Sequence, residues 1–222
     1  MNREKVIVSW SGGKYSAITL YKLLKKPKYQ VVSLLSILFK HTDGKEYIGM
    51  HMIEKSIIAQ QSEKIGIYLH TIYYTDSKSY HNKMRAFLEW CTSENILHIA
   101  FGDIHLQELR KKREQQLATV GMRAIFPLWN MQPEKIIKEF IELEFKAAIV
   151  NIDTQYLPKE ILGTDLNEKI LDHKIIDICG ENGEYHTLVY DGPIFKTEIN
   201  YKLTDTTSLD DENRYIAITS RN

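Results

Sequence analysis

The eight residues Ser9-Trp10-Ser11-Gly12-Gly13-Lys14-Tyr15-Ser16 follow directly on the apolar run Val6-Ile7-Val8 and collect three serines, two adjacent glycines and a lysine. Such a stretch can receive an anion. Glycines let a phosphate approach the backbone, free N–H groups and the positive end of a following helix face it, and Ser11, Lys14 and Ser16 add side-chain donors. Neither common nucleotide motif fits: Val8 stands at the first glycine position of Gly-x-x-x-x-Gly-Lys-Ser/Thr, Tyr15 follows the lysine, and Gly-x-Gly-x-x-Gly is missing too. From the pattern alone a second reading stays open, a tight strand-to-helix turn with Ser11 as the cap.

Two further clusters carry chemistry. Gly102-Asp103 ends an apolar run at residues 97–101, and the carboxyl end of a parallel strand is where open α/β sheets place ligands. Asp103 there either holds Mg²⁺ or orients a nucleotide, or else it caps the helix starting near Leu106. In Glu181-Asn182-Gly183-Glu184-Tyr185-His186-Thr187, two carboxylates, an amide and an imidazole surround an Asn-Gly turn. Flanking runs at 175–179 and 185–190 read as the arms of a hairpin, whose tip is either a site or simply solvated. His51, just ahead of a predicted helix, is placed where it could reach the site, but a capping or surface role is the favoured reading. Arg110-Lys111-Lys112-Arg113 reads as a solvated helix face, and Trp129 as a packing residue. His173, Cys179 and His186 match none of the usual zinc spacings.

These clusters need a scaffold, and the hydrophobic rhythm predicts one. Strands at 5–9, 31–39, 68–74, 97–101 and 124–126 alternate with helices at 16–25, 52–65, 80–91 and 106–118, the βαβ pattern of a parallel sheet. The continuous run at 31–39 is the best inner strand, and it places the first strand beside it. After Pro127 the texture changes: a helix opens at Pro133, a strand covers 145–153, and β-rich segments follow from 174, with a polar loop at 204–214 before a last strand at 215–219. We therefore expect an α/β fold, a mainly parallel sheet of about five strands with helices on both faces, spanning residues 1–130, and a smaller α+β region at 131–222.

Composition sets the outer bounds. The chain has 222 residues, 43% of them hydrophobic and 26% charged, which fits a folded protein rather than a disordered one. Lys+Arg and Asp+Glu are both 29, so no global charge draws the chain to nucleic acid or an anionic membrane. The apolar runs are too short for a signal peptide or a membrane span, and the two cysteines, Cys91 and Cys179, stand far apart. The expected setting is the cytoplasm.

The glycine loop resembles the Ser-Gly-Gly-x-Asp-Ser pyrophosphate loop of the N-type ATP pyrophosphatases. Together with Phe101-Gly102-Asp103-Ile104, Ala124-Ile125-Phe126-Pro127-Leu128-Trp129, the stretch from Cys179 to Thr187 and Tyr190-Asp191-Gly192-Pro193-Ile194-Phe195, it resembles the diphthine–ammonia ligase family, including bacterial relatives of unsettled substrate. The resemblance implies a fold of the HUP/PP-loop type, with ATP held at Ser9, Ser11, Gly12, Gly13, Lys14, Ser16 and Gly102. It implies catalytic roles for Asp103, Glu181 and Glu184, with Mg²⁺ at Asp103, and an acceptor pocket at Asn182, Gly183, Tyr185, His186 and Thr187. The implied reaction adenylates a substrate carboxylate and amidates it with ammonia. The acceptor would be diphthine on elongation factor 2 in an organism that makes diphthamide, with no direct nucleic-acid or membrane partner. One departure matters: Tyr15 stands where the family has Asp, which removes an acidic group that would help hold Mg²⁺. Three rivals remain: a nucleotide sensor without turnover, a tRNA-thiolating relative, and a structural protein. The thiolating class is disfavoured because it usually needs catalytic cysteines or added nucleic-acid domains.

Overall fold

The computed structural model describes residues 3–41, 44–49, 51–172, 177, 180, 183–208 and 214–220. In chain order the elements are β1 (Glu4–Ser9), α1 (Lys14–Leu24), β2 (Tyr29–Lys40), β3 (Glu46–Ile48), β4 (Ile53–Glu54), α2 (Lys55–Ile65), β5 (Leu69–Tyr74), α3 (Ser77–Ser93), β6 (His98–Ala100), α4 (Gln107–Ala118), β7 (Arg123–Ile125), α5 (Pro133–Glu142), β8 (Lys146–Asp153), β9 (Tyr185–Asp191), β10 (Lys202–Ser208) and β11 (Arg214–Ser220). Local chemistry explains several boundaries. Asp76 caps α3 by accepting the Ser79 N–H at 2.8 Å, α2 stops at Gly66 in the left-handed conformation, and Pro133 opens α5.

Five strands run parallel in the order β7-β6-β1-β2-β5, so β2 is an inner strand with β1 beside it. Side chains of β1 alternate between two cores, as the period of a strand dictates. Val6 and Val8 face a cluster containing Ala17, Leu20 and Leu23 of α1 and Ile57 and Ile58 of α2, whereas Ile7 joins Ile72 of β5, Phe87 and Leu88 of α3 and Leu117 of α4. Helices thus cover both faces. The larger cluster extends without a break to Ile136 and Phe140 of α5, Ile149 of β8 and Tyr185 and Leu188 of β9. The sheet is continuous as well, running from β2 through β3 and β4 to β11, β8 and β9.

Two expectations shift, and a third is described only in part. Residues 52–54, read as helix, include the two-residue strand β4, which follows β2 and β3 antiparallel and then pairs parallel with β11, linking the sheet to the later strands. The polar loop expected at 204–214 is in part strand: β10 pairs antiparallel with β11. Thr204-Asp205-Thr206-Thr207 carries little apolar signal, so hydrophobic patterning could not mark it. The second hairpin arm is β9, which pairs antiparallel with β8. The first expected arm, apart from Asp177, lies outside the described residues, as do His173 and Cys179. No helix among the described residues is long and apolar enough to cross a membrane.

Candidate functional site

The turn between β1 and α1 is fixed from two directions. Gly12 has φ +81°, open to glycine without strain, and a Cβ there would stand 2.6 Å from Ile58 Cδ1 and 2.8 Å from Gln61 Oε1. Gln61, fully buried on α2, accepts the Trp10 Nε1–H at 2.9 Å and donates Nε2–H to the carbonyls of Gly12 at 3.0 Å and Val189 at 2.7 Å. The Val189 N–H also reaches the Gly12 carbonyl, at 2.9 Å. Gly13 completes the junction, because a Cβ there would meet His51 Cε1 at 2.8 Å and the Thr187 carbonyl at 2.9 Å. The glycines are therefore needed for close packing of α2, β9 and His51 on the loop.

Hydroxyls arrange the first turn of α1. The Gly13 N–H points to Ser11 Oγ at 3.3 Å, Ser16 Oγ–H donates to the Gly13 carbonyl at 2.8 Å, and the Lys14 N–H donates to Thr187 Oγ1 at 3.1 Å. Ser9 sits at the end of β1, beside this turn. Lys14 is buried, with Nζ 4.1 Å from the centroid of the Tyr185 ring and 4.5 Å from that of Tyr15. His51 is half-buried against the turn. Its Nδ1 lies 3.4 Å from the Thr187 carbonyl and its ring centroid 4.6 Å from that of His186. Burial first, then the charge of Lys14, pushes its pKa down to about 4, so the imidazole is neutral near pH 7.

Gly102 leans on the same turn, since a Cβ there would come within 2.9 Å of Tyr15 Cβ. Asp103 is not a helix cap. The residue preceding α4 is Leu106, without a side-chain cap, and the buried Asp103 carboxylate faces Arg113 instead, with Nη2–H to Oδ1 at 3.1 Å. Nε and Oδ2 also lie 2.6 Å apart, close in charge terms but not aligned as a hydrogen bond. Burial raises the Asp103 pKa while Arg113 opposes the rise. Of the basic cluster expected on a solvated face, Arg113 turns inward over Phe101 at 4.2 Å, while Arg110 lies over Trp129 at 4.5 Å and pairs with Glu114 along the helix. Only Lys111 and Lys112 are exposed.

The residues present do not fit a protein-built magnesium site. Asp103 is committed to Arg113, Tyr15 carries no charge that could bind the ion, and among the described residues no three His, Cys, Asp or Glu side chains gather where they could hold a metal.

Of the expected site residues, the structure joins Ser11, Gly12, Gly13, Lys14 and Ser16 to Tyr185 and Thr187, with His186 alongside. Glu184 is buried rather than solvated; its Oε1 accepts the Asp177 N–H at 3.1 Å and its carbonyl accepts the Asp153 N–H at 2.9 Å. Gly183 has φ +91°, as expected of the turn glycine, while Glu181 and Asn182 lie outside the described residues. Gln61 and Arg113 are the members the sequence reading did not place, and His51 it placed only within reach. Gln61 was legible only as a polar residue on the apolar face of a helix, in line with Ile57, Ile58 and Ile65.

Comparison with known proteins matches both halves of this architecture. The diphthamide synthase N-terminal domain family model matches residues 4–124, and the C-terminal domain model matches residues 132–220. Among curated proteins, a diphthine–ammonia ligase of Schizosaccharomyces pombe is 29% identical over 98 residues, covering 40% of this chain and 16% of the yeast protein. Enzymes of the same name from Mus musculus and Homo sapiens are 28% and 26% identical over 113 residues, covering 48% of this chain and 42% of each. The matched stretch thus spans less than half the length of each of these relatives. The matches to both family models take in nearly the whole chain, and it belongs to the diphthamide synthase family.

Proposed function

We propose that the chain is an ATP-dependent ligase that adenylates a carboxylate and amidates it with ammonia. The observation that carries this reading is the docking of β9 on the glycine loop: Thr187 Oγ1 accepts the Lys14 N–H, so the candidate acceptor stretch and the candidate phosphate loop form one site. In the first step a carboxylate oxygen attacks the α-phosphorus and the bond to the pyrophosphate oxygen breaks. In the second, the ammonia nitrogen attacks the acyl carbon, the bond to AMP breaks, and a proton is released. Backbone N–H groups of the loop, with Ser9, Ser11, Lys14 and Ser16, bind the phosphates and stabilise the leaving pyrophosphate. Nucleotide binding draws the Gly13 and Lys14 N–H groups away from Ser11 and Thr187. Asp103, held by Arg113, fixes the Gly102 turn against Tyr15 beside the nucleotide. Magnesium, brought in by ATP itself, would supply charge neutralisation.

Glu184, with Glu181, Asn182, Gly183, Tyr185, His186 and Thr187, serves the acceptor, which is diphthine where the source makes diphthamide; the reaction is cytoplasmic. A second reading, nucleotide binding without turnover, is favoured by Tyr15 in place of an acid. One assay separates them. With ATP, Mg²⁺, ammonium and cell extract as the source of acceptor, the ligase reading expects AMP and pyrophosphate, and Glu184→Gln keeps ATP affinity within a few-fold while AMP release is lost. ATP bound but never converted selects the second reading, and full activity in Glu184→Gln removes that residue from the acceptor site.

A further inference from the structure

Lys14, the lysine of the glycine loop, is only 4% exposed, and its ammonium stands between two aromatic faces, 4.1 Å from the Tyr185 centroid and 4.5 Å from the Tyr15 centroid. Each ring attracts positive charge through its quadrupole, and burial strengthens the attraction. The slot is built from both ends of the chain, and each wall depends on a glycine. Tyr15 is seated against Gly102, where a Cβ would come within 2.9 Å of its own Cβ. Tyr185 is seated against Gly180, which has φ +69° and where a Cβ would meet the Tyr185 carbonyl at 2.7 Å and its ring Cδ1 at 3.0 Å. His51, which interacts electrostatically with Lys14, is neutral and brings no competing cation.

Two demands compete for this one lysine. Phosphates at the loop attract its ammonium outward, and its departure opens the space between the two ring faces. We propose that the Tyr15–Tyr185 slot is a binding site for an ammonium-type cation of the second substrate, filled by Lys14 until nucleotide draws the lysine to its phosphates. This rests on the amide-forming reading above and adds an order to it: nucleotide first, cation second. Free ammonium and an alkylated ammonium group carried by the acceptor share this chemistry, and they differ in size.

The test is calorimetric titration of ammonium chloride, with sodium chloride at equal ionic strength as control and tetramethylammonium chloride as a second arm. Lys14→Ala empties the slot and leaves both rings, so this variant is expected to bind ammonium without nucleotide. The unaltered chain is expected to bind it only in the presence of an ATP analogue that cannot be cleaved between the α- and β-phosphates. Adding Tyr185→Leu to Lys14→Ala should weaken binding by about five-fold or more, the loss of one cation–π contact. Preference for ammonium assigns the slot to the free cation, and preference for tetramethylammonium assigns it to the acceptor's group. No cation binding by folded Lys14→Ala, or binding that Tyr185→Leu leaves unchanged, overturns the proposal. Should Lys14→Ala melt too early to titrate, Tyr15→Leu in the otherwise unaltered chain with the analogue gives the same reading, again as a loss of about five-fold or more. The Lys14→Ala arm needs neither ATP nor turnover, so failure of the ligase reading would appear separately, as ammonium binding without AMP formation.

Discussion

Burial costs His51 its proton. In the folded chain its pKa falls from 6.5 to about 4, whereas in the unfolded chain it returns to its ordinary value. Between those two values the unfolded state binds a proton that the folded state refuses, so stability is full above about pH 6.5 and is lost as pH falls through about 4. The shift corresponds to about 3 kcal/mol at roughly 1.4 kcal/mol per unit. Replacing His51 by Gln, which keeps a polar side chain beside the Thr187 carbonyl but does not titrate, should flatten that part of the acid profile. Denaturant unfolding of both proteins from pH 4 to 7 measures it; parallel profiles would mean that His51 is not the buried neutral group described. The same residue shows what single side chains conceal in a sequence. Gly12, Gly13 and Lys14 announce themselves because their types are unusual together, while a lone His51, a helical Gln61 or an Arg113 inside a basic run looks ordinary until the fold closes around it. Arg113 is the clearest case, since only the approach of Asp103 and Phe101 turns a charged helix face inward.

The contact between α1 and β9 is held by small groups at close range, and that sets its sensitivity. An alanine at Gly13 needs no unusual backbone angle, because φ there is −96°, yet its Cβ would stand 2.9 Å from the backbone carbonyl of Thr187 and 2.8 Å from His51 Cε1. Backbone cannot yield as a flexible side-chain tip can, so β9 must shift. Overpacking of this kind costs about 1–3 kcal/mol, and each kcal/mol lowers the melting temperature of a chain this size by roughly 2–4 °C. Gly13→Ala should therefore melt several degrees lower and bind ATP more weakly, since the added Cβ displaces the loop whose N–H groups face the phosphates. An unchanged melting curve would show the junction to be looser than drawn. Legibility at this scale follows burial. β1 and β2 are covered on both faces and read as apolar runs, but β3 and β4 are three and two residues long, too short for any period, and β10 is written in Thr and Asp. What the sequence conveys is the element that packs, not the element that merely pairs.

Across the whole molecule, the two halves share what each would need to stand alone. One apolar cluster takes Val6, Val8 and Leu20 from the parallel half together with Ile136, Phe140, Ile149 and Leu188 from the other. The Tyr21 ring meets that of Phe145 edge-on at 6.1 Å, Lys22 pairs with Glu139, and Gln61 bonds to both Gly12 and Val189. Even the sheet passes between them, through β3 and β4 to β11. A fragment of residues 1–130 would keep the opposite core around Ile7, Phe87 and Leu88, but it would expose the inner faces of α1 and α2 and leave the glycine loop without the β9 backbone that holds Gly12. Each large apolar side chain left in water forfeits about 1.5–3 kcal/mol, so a handful of them removes as much as a domain's usual net stability of about 5–15 kcal/mol. The fragment should therefore bind a hydrophobic dye and melt without a sharp transition, whereas the full chain unfolds in one step by both near- and far-ultraviolet circular dichroism. A cooperative transition in the isolated fragment, with native near-ultraviolet signal and bound ATP, would mean that the parallel half is self-sufficient and that β9 is an addition to the nucleotide site rather than part of its wall.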